Sequence, residues 1–162
     1  MNIHIAPLPE HFLHRVRVDG RDDLDQPVER FLAEGGEPCR DVLRRARAGE
    51  PLVLASHSPF RQPGPFREFG PVYVLAEASG DAVERRRLPL PHGGATDYFG
   101  ERLVLRAYSA EERIVDARLV TAAEAEAVAA ELLRRSDAAF LQARFPIYGC
   151  FACRIDRLAT PG

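Results

Sequence analysis

Leu103-Val104-Leu105-Arg106-Ala107-Tyr108, a polar break at 109–112, an apolar return over 114–120 and then Thr121-Ala122-Ala123-Glu124 decide the fold. Leu103, Leu105 and Ala107 alternate with Val104, Arg106 and Tyr108, which predicts a strand with one apolar side and one side carrying Arg106 and Tyr108. A turn through 109–112 closes it into a hairpin with residues 114–120. Thr121 followed by Glu124 is a capping box, and Ala125, Val128, Ala129, Leu132 and Leu133 form the apolar stripe of a helix over about 122–135. Paired strands followed by one amphipathic helix, with no β-α-β alternation, predict a single α+β domain. Its sheet is mainly antiparallel, with the helix packed on one face.

Upstream of the hairpin, residues 2–6 alternate as a short strand that Pro7 and Pro9 stop, and Phe12, His14, Val16 and Val18 share one side of a second alternating segment. Pro27 and the Gly35-Gly36 pair bracket a short helix near 27–33. Asp41 and Gly49 would suit the two ends of another over 41–49. Leu52-Val53-Leu54-Ala55-Ser56-His57 is an unbroken apolar run of the kind found in interior strands, with its polar end at His57. A proline-rich loop then leads through Pro65-Phe66-Arg67-Glu68-Phe69-Gly70-Pro71 into a strand over 72–76. Proline fixes φ and glycine admits unusual backbone, so such a corner is stiff and holds Arg67 and Glu68 in place. Residues 79–100 form a long loop excursion, and strands at 140–145 and 148–155 end the domain.

At 162 residues the chain can bury one full core, and 46% hydrophobic with 28% charged residues excludes disorder. No apolar run reaches the roughly 20 residues of a membrane span. Every basic residue that is not histidine is arginine, and the net charge of −2 argues against a nucleic-acid partner. The arginine bias fits a GC-rich genome. The Arg44, Arg45 and Arg47 cluster reads as solvated surface. The opening residues lack an export layout and the three cysteines make an odd number, so a cytoplasmic protein with reduced thiols is expected.

Pro38-Cys39-Arg40, the Gly49-Glu50 turn, Pro65 through Val74, Leu105-Arg106-Ala107-Tyr108 and the Gly149-Cys150-Phe151 segment running to Arg157 come in an order that resembles an uncharacterised bacterial family, domain of unknown function 1203. The resemblance covers 38–157 and leaves 1–37 divergent. It implies that residues 39–43 are a strand, and it carries no activity. It also implies histidines and an asparagine in the strand before Gly149-Cys150, where this chain has Gln142, Arg144 and Phe145. No histidine-based metal site is expected there.

Arg40, Arg67 and Arg106 with Tyr108 and His57 make the candidate binding constellation. Guanidinium forks recognise carboxylates and phosphates with paired hydrogen bonds, and a phenol adds a directional donor. Convergence in one cleft would bind an anionic small molecule, whereas pairing with Glu68, Asp116 and Asp156 would make the same arginines structural. His57 is the candidate acid or base and Cys150 the candidate reactive thiol, a pair only if they meet in space. Cys150 and Cys153 lack the second pair that zinc needs, and in a strand two cysteines three apart diverge. His4, His11 and His14 likewise suggest no built metal site. No cofactor is expected, and the alternative to small-molecule binding is a non-enzymatic interaction module that forms a homo-oligomer.

Overall fold

The computed structural model describes residues 3–91 and 97–158. In chain order it has β1 (Ile3–Ala6), α1 (Glu10–His14) running into a π-helical turn at Arg15–Asp19, β2 (Glu29–Leu32), β3 (Pro38–Cys39), β4 (Arg44–Arg45) and β5 (Pro51–His57). These are followed by β6 (Gly70–Leu75), β7 (Arg102–Tyr108), β8 (Ile114–Thr121), α2 (Ala122–Arg134), β9 (Phe140–Arg144) and β10 (Phe151–Arg157).

The strands form two five-stranded sheets, ordered β1-β10-β9-β7-β8 and β2-β5-β6-β3-β4. All pairings are antiparallel except that of β3 with β6, where Cys39 sits opposite Tyr73. The architecture is the expected α+β, mainly antiparallel fold, with two sheets in place of one.

The β7–β8 hairpin and α2 lie where the alternation and the capping box put them. Glu124 accepts hydrogen bonds from the Thr121 amide and hydroxyl at 3.1 and 2.7 Å, which fixes the helix start. Ala125, Ala129, Leu132 and Leu133 pack onto Leu103, Leu105, Ala107, Leu141, Ala143 and Ile155, so the first sheet has one apolar face closed by α2. The opposite face carries Arg106, Tyr108, Phe140, Gln142 and Arg144, as strand alternation requires.

Three local expectations give way to tertiary structure. Residues 12–18 are helical, not extended: Leu8, Phe12 and Val16 are buried while Val18 is 69% exposed, the pattern of one helix face. The four-residue step from Phe12 to Val16 satisfies both periods, and packing on Val53, Ala55, Val72, Val74 and Phe151 selects the helix. The helix expected near 27–33 is strand β2, whose edge pairs with β5 from Glu29↔Leu54 to Leu32↔Pro51. Residues 38–45 are neither a helix nor a strand over 39–43 but a hairpin, β3 to β4, with Leu43 at φ 51° in its turn. The 79–100 excursion is a loop that buries Leu88, Tyr98 and Phe99 in the first core, and part of it, 92–96, lies outside the described residues.

The Arg44 cluster is more structural than solvated. Arg44 grips both Glu50 oxygens at 2.8 and 2.9 Å and adds Asp81 at 2.9 Å. The Arg44 guanidinium pushes the Glu50 carboxyl down to about 2. A depressed carboxyl stabilises the fold fully above its ordinary value of 4.5 and loses that contribution as the pH falls towards 2. Glu50→Gln should therefore flatten the stability profile between those limits, measured as urea midpoint against pH; an unchanged acid slope would refute the pairing's role.

Candidate functional site

Arg40 leaves the β3–β4 hairpin and crosses to the other sheet. Its amide donates to the Tyr73 carbonyl at 2.9 Å, which sets the hairpin beside β6. Its Nε donates to the Phe151 carbonyl at 2.9 Å and its Nη1 to the Pro38 carbonyl at 2.6 Å. The guanidinium lies 5.1 Å from the centre of the Phe145 ring. It is only 3% exposed, and among the described residues it pairs with no carboxylate. Carbonyls orient the group but leave its full charge uncompensated.

That charge faces a cleft of about 750 Å³ at the junction of the two sheets. The walls come from the segment after β1, the end of β5, the proline-rich loop and the start of β10. Arg15, Arg40, Arg61, Arg67 and Arg154 line it against two carboxylates, Glu10 and Asp23. Arg154 is neutralised by Asp156 at 2.8 Å and lies over the Phe140 ring, and Arg15 meets Asp25 at 3.4 Å. The guanidinium groups of Arg61 and Arg67 pair with no carboxylate among the described residues, so with Arg40 they give the cleft a positive balance.

His57 ends β5 inside this cleft and is 4% exposed. Its Nδ1 donates to Asp23 Oδ2 at 2.9 Å, and the same oxygen accepts the Ser58 amide at 2.9 Å. Phe12, at 4.3 Å between ring centres, holds the imidazole from the side. Burial would raise the Asp23 carboxyl, but the hydrogen bonds from His57 and the Ser58 amide, with the charges of His57 and Arg15, outweigh it and hold the group below its ordinary value. An ionised Asp23 fixes the proton on Nδ1 and leaves Nε2 as the nitrogen that can serve a ligand. The neighbouring Asp22, 4% exposed, accepts amides of Leu24, Gln26 and Ser56 and thereby ties the 20–26 turn to β5.

Of the residues proposed from sequence, Arg40, His57 and Arg67 come together here. Arg106, Tyr108 and Cys150 do not line this cleft. Arg106 pairs with Glu68 at 3.7 Å on the outer face of the first sheet. Tyr108 is fully buried, stacked on Phe140 at 5.2 Å. Cys150 sits near the Tyr148 carbonyl at 3.7 Å, in the turn before β10. Asp23, Arg61 and Arg154 were missed. Asp23 belongs to a turn signal, and nothing in the sequence ties it to His57, 34 positions away.

The three cysteines are free thiols. Burial pushes Cys39 and Cys153 up to about 12, whereas Cys150 is partly exposed. A disulfide reagent at pH 8 should titrate one thiol in the folded protein, lost in Cys150→Ser, and all three in urea. Fast reaction of Cys39 or Cys153 would contradict the packing around them. Among the described residues no group of three or more His, Cys, Asp and Glu side chains is placed to hold a metal ion, and no helix is long and apolar enough to cross a membrane.

The family described as "Protein of unknown function (DUF1203)" matches residues 36–157. The chain is a member of that family. The match begins at the β3–β4 hairpin that carries Arg40 and ends with β10, so it includes Arg40, His57, Arg67 and Arg154, while α1, Arg15 and Asp23 precede it. No curated protein and no solved structure matches the DUF1203 chain.

Proposed function

We propose that this DUF1203 protein binds an anionic small molecule in the cleft between its two sheets, in the bacterial cytoplasm. The observation that carries this is Arg40: a guanidinium almost wholly removed from water, oriented by two carbonyls, without a carboxylate partner among the described residues and facing open volume. Burying a cation without a counter-ion is costly, and an anion in the cleft offsets that cost. Arg67 and Arg61 at the wall would meet the outer part of the ligand, and His57, held by Asp23, would take up a proton at Nε2 and, once it carries that proton, donate it to the ligand. The free thiols support a reducing compartment.

A thermal-shift series with inorganic phosphate, carboxylates and nucleotides tests this. Stabilisation by one anion class that is lost in Arg67→Ala and kept in Arg106→Ala is the expected result. Silence from every class, or no stabilisation that Arg67→Ala removes, overturns it.

Self-association is the second function, favoured by Ile147 and Tyr148, which are 90% and 86% exposed on the turn between β9 and β10. A second copy would cover them in a homo-oligomer. Sedimentation velocity from micromolar upward should show a concentration-dependent dimer that Tyr148→Asp dissolves; a monomer throughout removes this function.

A further inference from the structure

The outer face of the first sheet contains a second concentration of donor side chains, and two of its buried nitrogens are unmatched. Arg106, Gln142 and Arg154 stand side by side in the strand register, Arg106↔Gln142 on β7–β9 and Gln142↔Arg154 on β9–β10. Gln142 is fully buried and Arg144 is 4% exposed. Arg144 Nη1 donates to the Gly149 carbonyl at 3.1 Å, and Nη2 donates to Gln142 Oε1 at 2.6 Å and meets the Glu68 carboxylate. Arg144 Nε and Gln142 Nε2 are buried with no acceptor among the described residues. Glu68 also serves Arg106 at 3.7 Å, so one carboxylate faces two guanidinium groups.

Glu68 is an imperfect occupant of this place. It reaches Arg144 through Nη2 alone and leaves Nε bare, whereas a free carboxylate can lie side-on across Nε and Nη2. It also rides on a loop whose residues 61–69 are all exposed. That loop is anchored at one end by Glu112, which accepts the Arg61 and Gln62 amides, and at the other by the start of β6. Among the described residues the buried Arg144 is what fastens Glu68, whose side chain is still 44% exposed.

We propose that Arg144, Arg106 and Gln142 form a second site, distinct from the Arg40 cleft, for a carboxylate-bearing molecule, and that Glu68 occupies it in the resting protein as an internal competitor. An incoming carboxylate takes the Arg144 fork side-on, displaces Glu68 and frees the 61–69 loop. Because Phe60 and Arg67 of the same segment line the Arg40 cleft, occupancy of the second site alters the wall of the first.

The test uses acetate as the probe. A competitor bound most of the time weakens an external ligand in proportion, so Glu68→Ala should bind acetate about tenfold more tightly than the wild type, read by thermal shift at constant ionic strength. Glu68→Gln, which keeps the side-chain shape, should behave in the same direction if the fold is intact by circular dichroism. The gain should vanish in Glu68→Ala with Arg106→Ala and survive in Glu68→Ala with Arg67→Ala. Equal acetate affinity in wild type and both Glu68 variants overturns the proposal. Loss of the gain with Arg67→Ala instead of Arg106→Ala also overturns it, because the acetate would then be seated in the cleft, where it supports the cleft's own anion binding.

Discussion

Arg40→Ala is expected to weaken the proposed phosphate binding in the cleft by about two orders of magnitude, since truncating one partner of a buried charge contact costs about 3 kcal/mol. The same substitution removes hydrogen bonds to the Phe151 and Pro38 carbonyls, one of which joins the two sheets. Bonds from a charged donor contribute about 1.5–3 kcal/mol each, so the variant also unfolds at lower urea. The two effects separate by measurement. Isothermal titration reports the affinity of the folded protein, and Arg40→Lys, which keeps the charge but loses the fork, should recover part of the affinity with little of the sheet-to-sheet bonding. Wild-type phosphate affinity in Arg40→Ala would remove the basis for an anion-binding cleft.

Asp22→Ala is expected to be the most destabilising single change outside the hydrophobic cores. The carboxylate accepts the Leu24 and Gln26 amides at 2.9 Å and the Ser56 amide at 3.1 Å. Its removal strands three amide donors around a buried position, at about 3–4 kcal/mol in all. The Asp22→Asn variant keeps one oxygen for Leu24 and Gln26 but loses the bond to Ser56, and should cost roughly half as much. Chemical denaturation measures both, and a cost below about 1 kcal/mol for the alanine variant would show that the turn holds without the carboxylate. The turn also delivers Asp23 to His57, whose amide neighbour Ser58 shares the same carboxylate. Asp22→Ala should accordingly disturb His57 before any other cleft residue.

The fold was most legible where the determinants are local. Strand alternation from Leu103 to Tyr108, a turn, and a capping box at Thr121 act over a few residues each, and β7, β8 and α2 follow them closely. Residues 12–18 were ambiguous because a step of four places Phe12 and Val16 on one side in either conformation; the neighbouring sheet made the choice. Residues 29–32 became an edge strand because β5 offered unpaired backbone beside them, a partner that no local pattern announces.

The candidate site divides in the same way. His57 was legible as the polar end of an apolar strand, and Arg67 as a charge held in a proline-glycine corner. Arg106 and Tyr108 were correctly placed on one strand face, but which surface that face meets is a matter of sheet packing: it meets Glu68, Phe60 and Phe140. The unmatched donors of Gln142 and Arg144 were invisible, since a hydrogen bond left unmade depends on every neighbour at once.

By itself the sequence determined the secondary structure of the second half, the single helix covering one face of the first sheet, and which strands and corners carry the arginines. Tertiary structure alone decided that there are two sheets, that Arg40 is stretched between them to a carbonyl 111 positions away, and that Asp23 orients His57. The reason is range. Periodicity and caps are set by neighbours along the chain, whereas the charge environment of a side chain is set by whatever the packed sheets bring beside it.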